Sequence, residues 1–410
     1  MHTHIERPQV AAPGWARIRR DFGLAYVSNA FVAFVFTATG PLAIILAVGT
    51  GGGLSQAELA SWVFGVFLVN GVVSAWVSWR YSMPLGMAWT IPGTVLIGPA
   101  LQHLSFREVI GAFYVTAVLI FLLGLSGWVK KLMQALPMPI VMGMVAGVFL
   151  KFGLDIVRAV HGDVAVAGPM VLAFFALSAS PKVSRRLPPV VGALLVGVIA
   201  LALTGRAGGA AVGEWAFARP VLQAPAWSLG ALLELVIPLA ITVLVVQNGQ
   251  GVAVLRAAGH EPPVNAVAVA SGVGAFFCAM VGAVSTCLTG PSNALMTSSG
   301  QRERQYTAVL AYATMMIVFG LMAPTFTGLM LAAPKEFIMA LGGVAMLRVL
   351  QSAFVVSFSS RFTLGALVTF LVTVADKSLL NIGAAFWGLV AGFAVSWCLE
   401  RRDFKALANA

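Results

Sequence analysis

Charged residues are scarce in this chain of 410 residues, because Asp, Glu, Lys and Arg together make up only 10% of it. Soluble domains usually carry about 25% charged residues. With 60% hydrophobic residues and a mean hydropathy of +0.94, the chain could not cover itself with a wettable surface. The composition therefore excludes an ordinary soluble fold and predicts an all-helical, polytopic membrane protein.

Cysteines and reactive clusters are few as well. Cys278, Cys287 and Cys398 all lie in apolar stretches without ligand spacing, which argues against a disulfide framework and against a zinc site. The sequence shows no Ser/His pair, HExxH motif or cluster of acids that could serve an enzyme within the membrane. We therefore expect no enzymatic activity, no cofactor and no metal.

Apolar runs recur along the whole chain, and each is long enough to cross a hydrocarbon core of about 30 Å. The first run is too long for a cleavable signal peptide and is expected to remain as a span. Charge clusters and Gly/Pro turns separate fourteen predicted segments: 22–48, 57–79, 83–102, 107–128, 137–159, 164–180, 188–204, 229–255, 264–283, 284–300, 304–326, 334–350, 354–375 and 380–399.

The formal net charge of +11 is distributed as a topology signal and not as a nucleic-acid-binding patch. Basic residues cluster between the apolar runs, and most of them fall on one side if the N-terminus is cytoplasmic. The positive-inside rule then places both termini in the cytoplasm of a multi-pass inner-membrane protein.

The longest polar connection, residues 206–228, divides the segments into two sets of seven. It separates a first half at 22–205, which follows a cytoplasmic tail at 1–21, from a second half at 229–400. An odd number of segments per half reverses the orientation of the second half, which is the geometry of an inverted repeat. A single shift along the sequence supports the repeat, since it superimposes 41–44 on 238–241, Gly93 on Gly290 and Pro137 on Pro334.

Segments 3 and 10 are short, and each is interrupted by a Gly/Pro break, 91–94 (IPGT) and 289–293 (TGPSN). Inside a membrane such a break is tolerated where the freed backbone groups are buried or face a watery cavity. A helix that restarts after each break directs its positive end at the membrane midplane and favours an anion there. Corresponding broken segments in two halves indicate a transporter's binding site. The alternative is a pair of ordinary proline kinks.

Three stretches carry a family resemblance: 247–256 (QNGQGVAVLR) followed by Gly259, Pro262 and Pro263, 88–93 (AWTIPG), and 288–294 (LTGPSNA). Over essentially the whole chain the sequence resembles the benzoate:proton symporter family. The resemblance implies import of benzoate or a similar aromatic carboxylate with protons, through a bacterial inner membrane. It also implies the architecture of the nucleobase and sulfate transporters. These have a core domain from segments 1–4 and 8–11, a gate domain from segments 5–7 and 12–14, and substrate between segments 3, 8 and 10. By analogy, a homodimer would form through the gate domain.

One departure bears on the substrate. Nucleobase carriers place carboxylates late in segment 8 and after the segment 10 break, where this chain has Gln247, Asn248 and 292–298 without an acid. An acid would repel a carboxylate, whereas amides, hydroxyls and helix N-termini accept one. An anion is therefore favoured over a nucleobase, and another organic anion or an inorganic one such as sulfate stays open. The repeat favours alternating access over a channel.

Polar residues and glycines around the breaks and in segment 8 are the predicted substrate ligands: Thr90, Gly93, Thr94, Gln247, Asn248, Gln250, Gly290, Ser292 and Asn293. The alternative roles are helix capping and helix–helix hydrogen bonding. Weaker candidates for the pocket or for coupling are Asn29, Phe34, Trp89, Phe276, Asp155, Glu234 and Asp376. Asp155 is expected to form an ion pair with Lys151 or Arg158, and Glu234 and Asp376 to be solvated. His103 is predicted to be a surface residue.

Overall fold

The computed structural model of the chain describes residues 5–129, 131, 137–180, 183, 187–205, 215–298, 300–359, 361–377, 379 and 384–408. The first part of the chain forms α1 (Trp15–Asp21), α2 (Leu24–Thr37), α3 (Gly40–Gly51), α4 (Gln56–Phe64), α5 (Asn70–Tyr81), strand β1 (Met87–Trp89), α6 (Ile91–Ala100), α7 (Phe106–Ser126), α8 (Met138–Gly162), α9 (Val164–Ser178) and α10 (Pro189–Leu203). A π-helical turn, Gly65–Val69, joins α4 to α5.

The second part of the chain forms α11 (Leu229–Ile241), α12 (Asn248–Ala257), α13 (Val264–Met280), strand β2 (Thr286–Leu288), α14 (Gly290–Met296), α15 (Tyr306–Leu321), α16 (Ala323–Leu331), α17 (Lys335–Phe358), α18 (Thr363–Ala375), α19 (Ala384–Leu399) and α20 (Arg401–Ala408). A second π-helical turn, Thr242–Gln247, joins α11 to α12. Such turns widen a helix by one residue and often occur at functional sites.

Six helical stretches in the described part of the chain are long and apolar enough to cross a membrane: Leu24–Gly51, Gln56–Tyr81, Phe106–Ser126, Met138–Gly162, Leu229–Ala257 and Lys335–Phe358. The bent pair Arg302–Leu321 and Ala323–Leu331 would make a seventh, and α6, α9, α10, α13, α18 and α19 are shorter apolar helices. The helical class is confirmed, while the count of fourteen segments in two sets of seven stays a prediction.

Segments 12 and 13 are divided at the wrong place by the sequence prediction. The predicted gap between 350 and 354 lies inside α17, where Gln351 and Ser352 are exposed on an unbroken helix. Polar side chains on the outside of a helix do not end it. The chain turns instead before α18, at Phe362, whose φ of 55° is left-handed. Residues 1–4 of the predicted tail, 206–214 of the predicted linker and 380–383 of segment 14 lie outside the described residues.

The chain forms two compact units. Unit 1 comprises residues 1–34, 60–136 and 217–323, and unit 2 comprises 35–59, 137–216 and 324–410. In unit 1, α7 packs along α13, and α5 packs along α15. Glycines allow these close approaches, as is common between helices in membranes. A Cβ on Gly124 of α7 would lie 2.7 Å from the backbone nitrogen of Val269 in α13.

In unit 2, α8 packs along α17 and α18, while α9 packs on α10 and α18 on α19. A Cβ on Gly147 of α8 would lie 2.7 Å from Cβ of Thr373 in α18, so this contact also depends on a small residue. Pro137 and Pro334 occupy the same place, as the residues before the first turns of α8 and α17. This equivalence is one of the three that support the superposition predicted from the sequence.

Candidate functional site

Two short strands pair inside unit 1. β1 and β2 run antiparallel and all six of their residues are buried, with Met87 opposite Leu288, Ala88 opposite Cys287 and Trp89 opposite Thr286. Extended backbone in an apolar protein needs hydrogen-bond partners, and each strand supplies them to the other. The prediction that segments 3 and 10 are interrupted is confirmed, but strands and not half-helices precede the breaks.

Side chains from neighbouring helices hold the outer edges of these strands. Ser74 Oγ in α5 accepts a hydrogen bond from the Met87 N–H at 2.8 Å and donates to the Met87 carbonyl at 3.1 Å. Asn248 Oδ1 in α12 accepts from the Leu288 N–H at 2.7 Å, and its Nδ2 donates to Ser271 Oγ at 3.3 Å. Asn248, predicted to bind substrate, therefore uses one end of its amide to hold β2 and the other to bind Ser271 of α13.

A helix begins directly after each strand, as the breaks predict. α6 and α14 each carry a proline in the first turn, Pro92 and Pro291. Proline fits there because first-turn N–H groups have no partner within the helix. Since the strands are antiparallel, the positive ends of the two helices are directed at the strand pair from opposite sides.

The strand register corrects the predicted superposition of the two breaks. The sequence comparison placed Gly93 on Gly290, but each proline is the second residue of its helix, so Pro92 is the equivalent of Pro291. A glycine follows one proline and precedes the other, and the comparison matched the glycines. Counted from the strands, the equivalent pairs are Gly86 and Ser285, Thr90 and Thr289, and Thr94 and Asn293.

Side chains alternate along a strand, and this separates two faces of the pair. Met87 and Leu288 lie on the face that packs into a hydrophobic cluster with Val77, Val252 and Leu255. The opposite face carries small or hydroxyl-bearing residues, and we call it the hydroxyl face: Ala88, Thr90, Ser285, Cys287 and Thr289. It borders the second π-helical turn, because Thr90 Oγ1 donates a hydrogen bond to Thr242 Oγ1 at 3.1 Å.

On the β1–α6 side of this face the hydroxyls are paired. Thr90 Oγ1 also accepts from the Gly93 N–H at 3.1 Å and so caps α6. Thr94 Oγ1 donates to the Thr90 carbonyl at 2.9 Å. Gly93 itself is buried against Thr90 and Leu239. The three predicted ligands Thr90, Gly93 and Thr94 thus all take part in contacts that fix the start of α6.

On the β2–α14 side, Asn293 ties the helix to the opposite strand. Its Oδ1 accepts from the Gly86 N–H at 2.9 Å, and its Nδ2 donates to the carbonyls of Gly86 at 2.8 Å and Thr289 at 2.6 Å. Every polar atom of the Asn293 side chain is therefore in use. Like Asn248, it positions the strand pair.

Two hydroxyls of the hydroxyl face are left over. Ser285 Oγ and Thr289 Oγ1 are buried and have no hydrogen-bond partner among the residues that the structure describes. Thr289 precedes α14 but does not cap it. A buried polar group without a partner costs about 1–3 kcal/mol. These two hydroxyls, beside the uncapped positive end of α14, are the groups that a bound ligand would satisfy.

The other predicted ligands around α14 differ in exposure. Gly290 and Ser292 are buried in its first turn, and Ser292 has an interaction partner. Gln250 is exposed and lies against Gly290. Gln247, the last residue of the π-helical turn, is 5% exposed, and its side-chain amide makes no hydrogen bond within the described chain. Gln247 is the predicted amide that stays available to a ligand.

The three aromatic residues predicted as pocket candidates lie in two different places. Trp89 lies on the face opposite the hydroxyls, and its ring is 5.1 Å from Phe67, which begins a row that continues through Phe319 to Phe34. The predicted residue Phe276 is not part of this row. It lies two positions from Gly274, which faces Thr286, so its 43% exposed ring is turned away from the strand pair.

Three weaker candidates lie elsewhere. Asn29 is half-buried in α2 and has an interaction partner. Asp155 in unit 2 pairs with Arg158 at 2.9 Å, so the predicted ion pair is confirmed. Asp376 is exposed at the end of α18, as predicted for a solvated acid.

Glu234 is the acid for which the prediction of solvation is wrong. Its side chain is 5% exposed in α11, and its Oε2 lies 2.9 Å from Nε2 of His103, in the turn after α6. His103 is exposed, as predicted for a surface residue, and its side chain is 33% exposed. The two residues are 131 positions apart, so no local pattern could have paired them.

The strand–helix elements contain no fixed negative charge. Asp and Glu are absent from β1, α6, the turn Thr242–Gln247, β2 and α14, all of which are described. Hydroxyls, an amide and positive helix ends together form a neutral set of donors, which suits an anion. Within the described residues, no group of three or more His, Cys, Asp or Glu could hold a metal ion.

The sequence matches the family model of the benzoate membrane transport protein over residues 20–398. The chain belongs to the benzoate membrane transport protein family. It is 27% identical over 389 residues to the benzoate membrane transport protein of Acinetobacter baylyi, covering 93% of this chain and 97% of that protein. It is 30% identical over 370 residues to the inner membrane protein YdcO of Escherichia coli, covering 88% and 92% respectively.

Solved structures share the fold of this family member at 14% identity. The transmembrane domain of the cyanobacterium bicarbonate transporter BicA superimposes with a TM-score of 0.59, covering 94% of this chain and 100% of that one. The structure of SLC26A9 gives a TM-score of 0.62 over 92% of this chain, which spans only 65% of the SLC26A9 chain. Family and fold make this chain a multi-pass membrane transporter and not an enzyme.

Proposed function

We propose that this transporter imports benzoate or a similar aromatic carboxylate together with protons, by alternating access. The observation that carries the proposal is the β2–α14 end of the hydroxyl face. There, two buried hydroxyls without partners in the described chain, Ser285 and Thr289, lie beside an uncapped helix end where no acid is present. Family membership supports the same class of substrate.

The chemistry of this end matches a carboxylate. A carboxylate accepts several hydrogen bonds, and each bond to a charged group is worth about 1.5–3 kcal/mol net. Ser285, Thr289 and the amide of Gln247 are the side-chain donors that we assign to it. They are joined by the first-turn N–H group of Gly290 in α14, and Ser292 lies buried in the same turn. The remaining predicted ligands, Thr90, Gly93, Thr94, Asn248, Gln250 and Asn293, would act by positioning these donors.

An aromatic ring also needs an apolar surface. Ala88 and Cys287 lie opposite each other between the hydroxyls, and both are buried. Small apolar side chains of this kind offer a flat ring an apolar contact surface beside the donors. A small inorganic anion would gain nothing from them, so we favour an aromatic carboxylate.

The second candidate function is transport of an inorganic anion. It is favoured by the fold, which is shared with a bicarbonate transporter. A nucleobase is disfavoured because its ring N–H groups need an acceptor such as a carboxylate, which the strand–helix elements do not contain.

We further propose unit 1 as the core domain of the predicted division, since it contains both strand–helix elements and the second π-helical turn. α3, which forms the end of predicted segment 1, belongs to unit 2 and not to unit 1. The inverted repeat, the orientation with both termini in the cytoplasm of a bacterial inner membrane and the homodimer through the gate domain are part of this proposal. The antiparallel strand pair, with one helix after each strand, supports the repeat.

The test is uptake of radiolabelled benzoate into proteoliposomes with an alkaline lumen, with and without a protonophore. We expect accumulation that the protonophore abolishes, and competition by unlabelled benzoate but not by bicarbonate or sulfate. No uptake by a preparation that is monodisperse and melts cooperatively would overturn benzoate as the substrate. Competition by bicarbonate or sulfate alone would establish the second candidate.

A charge substitution locates the site. Gln247→Glu places a negative charge beside the proposed carboxylate, and at a separation of about 4 Å this repulsion is worth roughly 4 kcal/mol near a protein surface. We expect benzoate affinity to fall at least about tenfold, measured by titration of the purified protein. Gln351→Glu, at an exposed glutamine of α17, is the matched control and should leave affinity unchanged. Equal affinity in both variants would remove Gln247 from the site.

A further inference from the structure

We propose that Glu234 and His103 form the proton-binding site of this transporter. The inference rests on the proposed function, because it names the residues that carry the coupled proton. The two most buried acids in the described chain are Asp21 and Glu234, which are each 5% exposed.

The partners of these two acids differ in one respect. Asp21 lies 3.3 Å from Arg17 and 3.4 Å from Arg20. Arginine does not lose its proton in proteins, so this pairing is permanent. Glu234 is paired instead with His103 at 2.9 Å. An imidazole, unlike a guanidinium, exists both with and without a proton on its second ring nitrogen, so of the two pairs the Glu234 pair is the one that can hold an exchangeable proton.

Exposure gives the pair a path for protons. The side chain of His103 is 33% exposed, whereas that of Glu234 is 5% exposed. The imidazole is therefore the more accessible end of the pair, and a proton bound there is held next to a buried carboxylate. Binding one proton raises the charge of the pair from −1 to 0, and release restores it. Because benzoate carries one negative charge, its transport together with this proton moves no net charge across the membrane.

The pair is connected to the hydroxyl face through two packed helices. α6 and α11 run antiparallel and are joined at both ends, by Thr90 and Thr242 at one end and by His103 and Glu234 at the other. Glu234 and Thr242 lie eight residues apart and so share one helix face, roughly 12 Å apart along the axis. Between them, Gly93 of α6 packs against Leu239. A change in the hydrogen bond between His103 and Glu234 therefore acts on α6, and the N-terminus of α6 borders the hydroxyl face.

In the part of the chain that the structure describes, the helices packed against α11 bring few charged groups to this end, and Glu234 has a further contact besides His103. α7 packs against α11 and brings Arg107 and Glu108 to the same end, while α6 contributes no charged residue. Glu108 is engaged in capping α7, since its Oε2 accepts from the N–H of Ser105 at 2.8 Å. Arg107 donates from Nε to the carbonyl of Ala224 at 3.2 Å. Both are more exposed than Glu234.

The experiment separates proton coupling from substrate movement in proteoliposomes of the full chain. One assay measures benzoate accumulation driven by an alkaline lumen, and the other measures exchange of labelled for unlabelled benzoate at equal pH. The variants are Glu234→Gln and His103→Gln, which keep a hydrogen-bonding side chain but do not titrate near neutral pH. The control is Asp155→Asn, which removes the ion pair of Asp155 with Arg158 in unit 2.

We expect both variants to lose at least about tenfold in driven accumulation, because the proton no longer binds, and to keep exchange within about twofold of the unsubstituted protein. Asp155→Asn should keep both activities. Driven accumulation that persists in both Glu234→Gln and His103→Gln would overturn the inference, as would loss of exchange together with accumulation in folded protein. A starting protein that does not exchange benzoate at all would instead refute the proposed function, so the two failures are distinguishable.

Discussion

The two strand–helix elements of unit 1, β1–α6 and β2–α14, share a backbone plan and differ in their side chains. In the first, Thr90 caps its helix and is bonded to Thr242. In the second, the equivalent residue Thr289 makes no cap bond, and its hydroxyl is buried without a partner in the described residues. The threonine hydroxyl of the first element is fully hydrogen-bonded, while that of the second remains available as a donor.

A second difference points the same way. Thr94 reaches only the carbonyl of Thr90, one turn back in its own chain. The equivalent Asn293 is longer and reaches across to both polar groups of the Gly86 peptide. A backbone with two equivalent halves would offer two equivalent sites to an asymmetric ligand. Side chains that complete one half and leave the other open select a single site.

The largest effect on stability is expected from Asn293→Ala. Without the amide, the Gly86 N–H loses its partner, and the Gly86 carbonyl keeps only the bond from the Thr289 N–H at 3.4 Å. A buried group left unpaired costs about 1–3 kcal/mol, and each further hydrogen bond lost costs about 1 kcal/mol. We expect the free energy of unfolding in detergent to fall by about 2–5 kcal/mol. Thr94→Ala, at the equivalent position, should lower it by about 1 kcal/mol or less. Equal losses would show that the comparison has no energetic basis.

A smaller effect is expected from exchanging Gly86 and Ser285, the residues that directly precede the two strands. Gly86→Ser brings a Cβ against the Met296 side chain and within 3.0 Å of Asn293 Oδ1. Such overpacking typically costs about 1–3 kcal/mol. Ser285→Gly removes a hydroxyl that has no partner in the described chain, and should change stability by less than about 1 kcal/mol. Melting temperatures of the two variants test this prediction. A larger decrease for Ser285→Gly than for Gly86→Ser would contradict it.

The smallest effect on stability is expected at Thr90 and Thr289, the threonines that precede α6 and α14. Thr90→Val removes a cap and should lower the free energy of unfolding by about 1 kcal/mol. Thr289→Val should leave it unchanged, because this hydroxyl makes no bond within the described chain. If Thr289 donates to benzoate, its loss weakens binding about tenfold. Unfolding curves and benzoate titrations of both variants check the prediction, and unchanged binding by Thr289→Val would remove this donor from the proposed site.

Local chemistry made several features predictable. The Gly/Pro breaks predict where α6 and α14 begin, because proline is excluded from a helix interior but fits its first turn. The absence of acids around the breaks predicts a neutral set of donors. The ion pair between Asp155 and Arg158 follows from helical spacing alone.

Other features could not be predicted because they depend on residues far apart in the chain. β1 and β2 are only three residues each, which is too short to show an alternation, so their sequences look like parts of a membrane helix. The sequence predicts Asn248 as a ligand because a polar group in an apolar helix is expensive in a membrane, and it predicts Asn293 because this residue flanks the break in segment 10. Strand backbone supplies their partners, which the linear sequence does not show.

Composition and the placement of proline and glycine thus determined that this protein is a helical membrane protein and where its helices are interrupted. These properties depend on each residue's own solvation and backbone preferences. The tertiary structure alone decided which polar groups are used up and which remain. It completed β1–α6, left Ser285 and Thr289 open in the described chain, and placed His103 against Glu234. Hydrogen bonding is a property of pairs, and the partners here are joined only when distant segments pack.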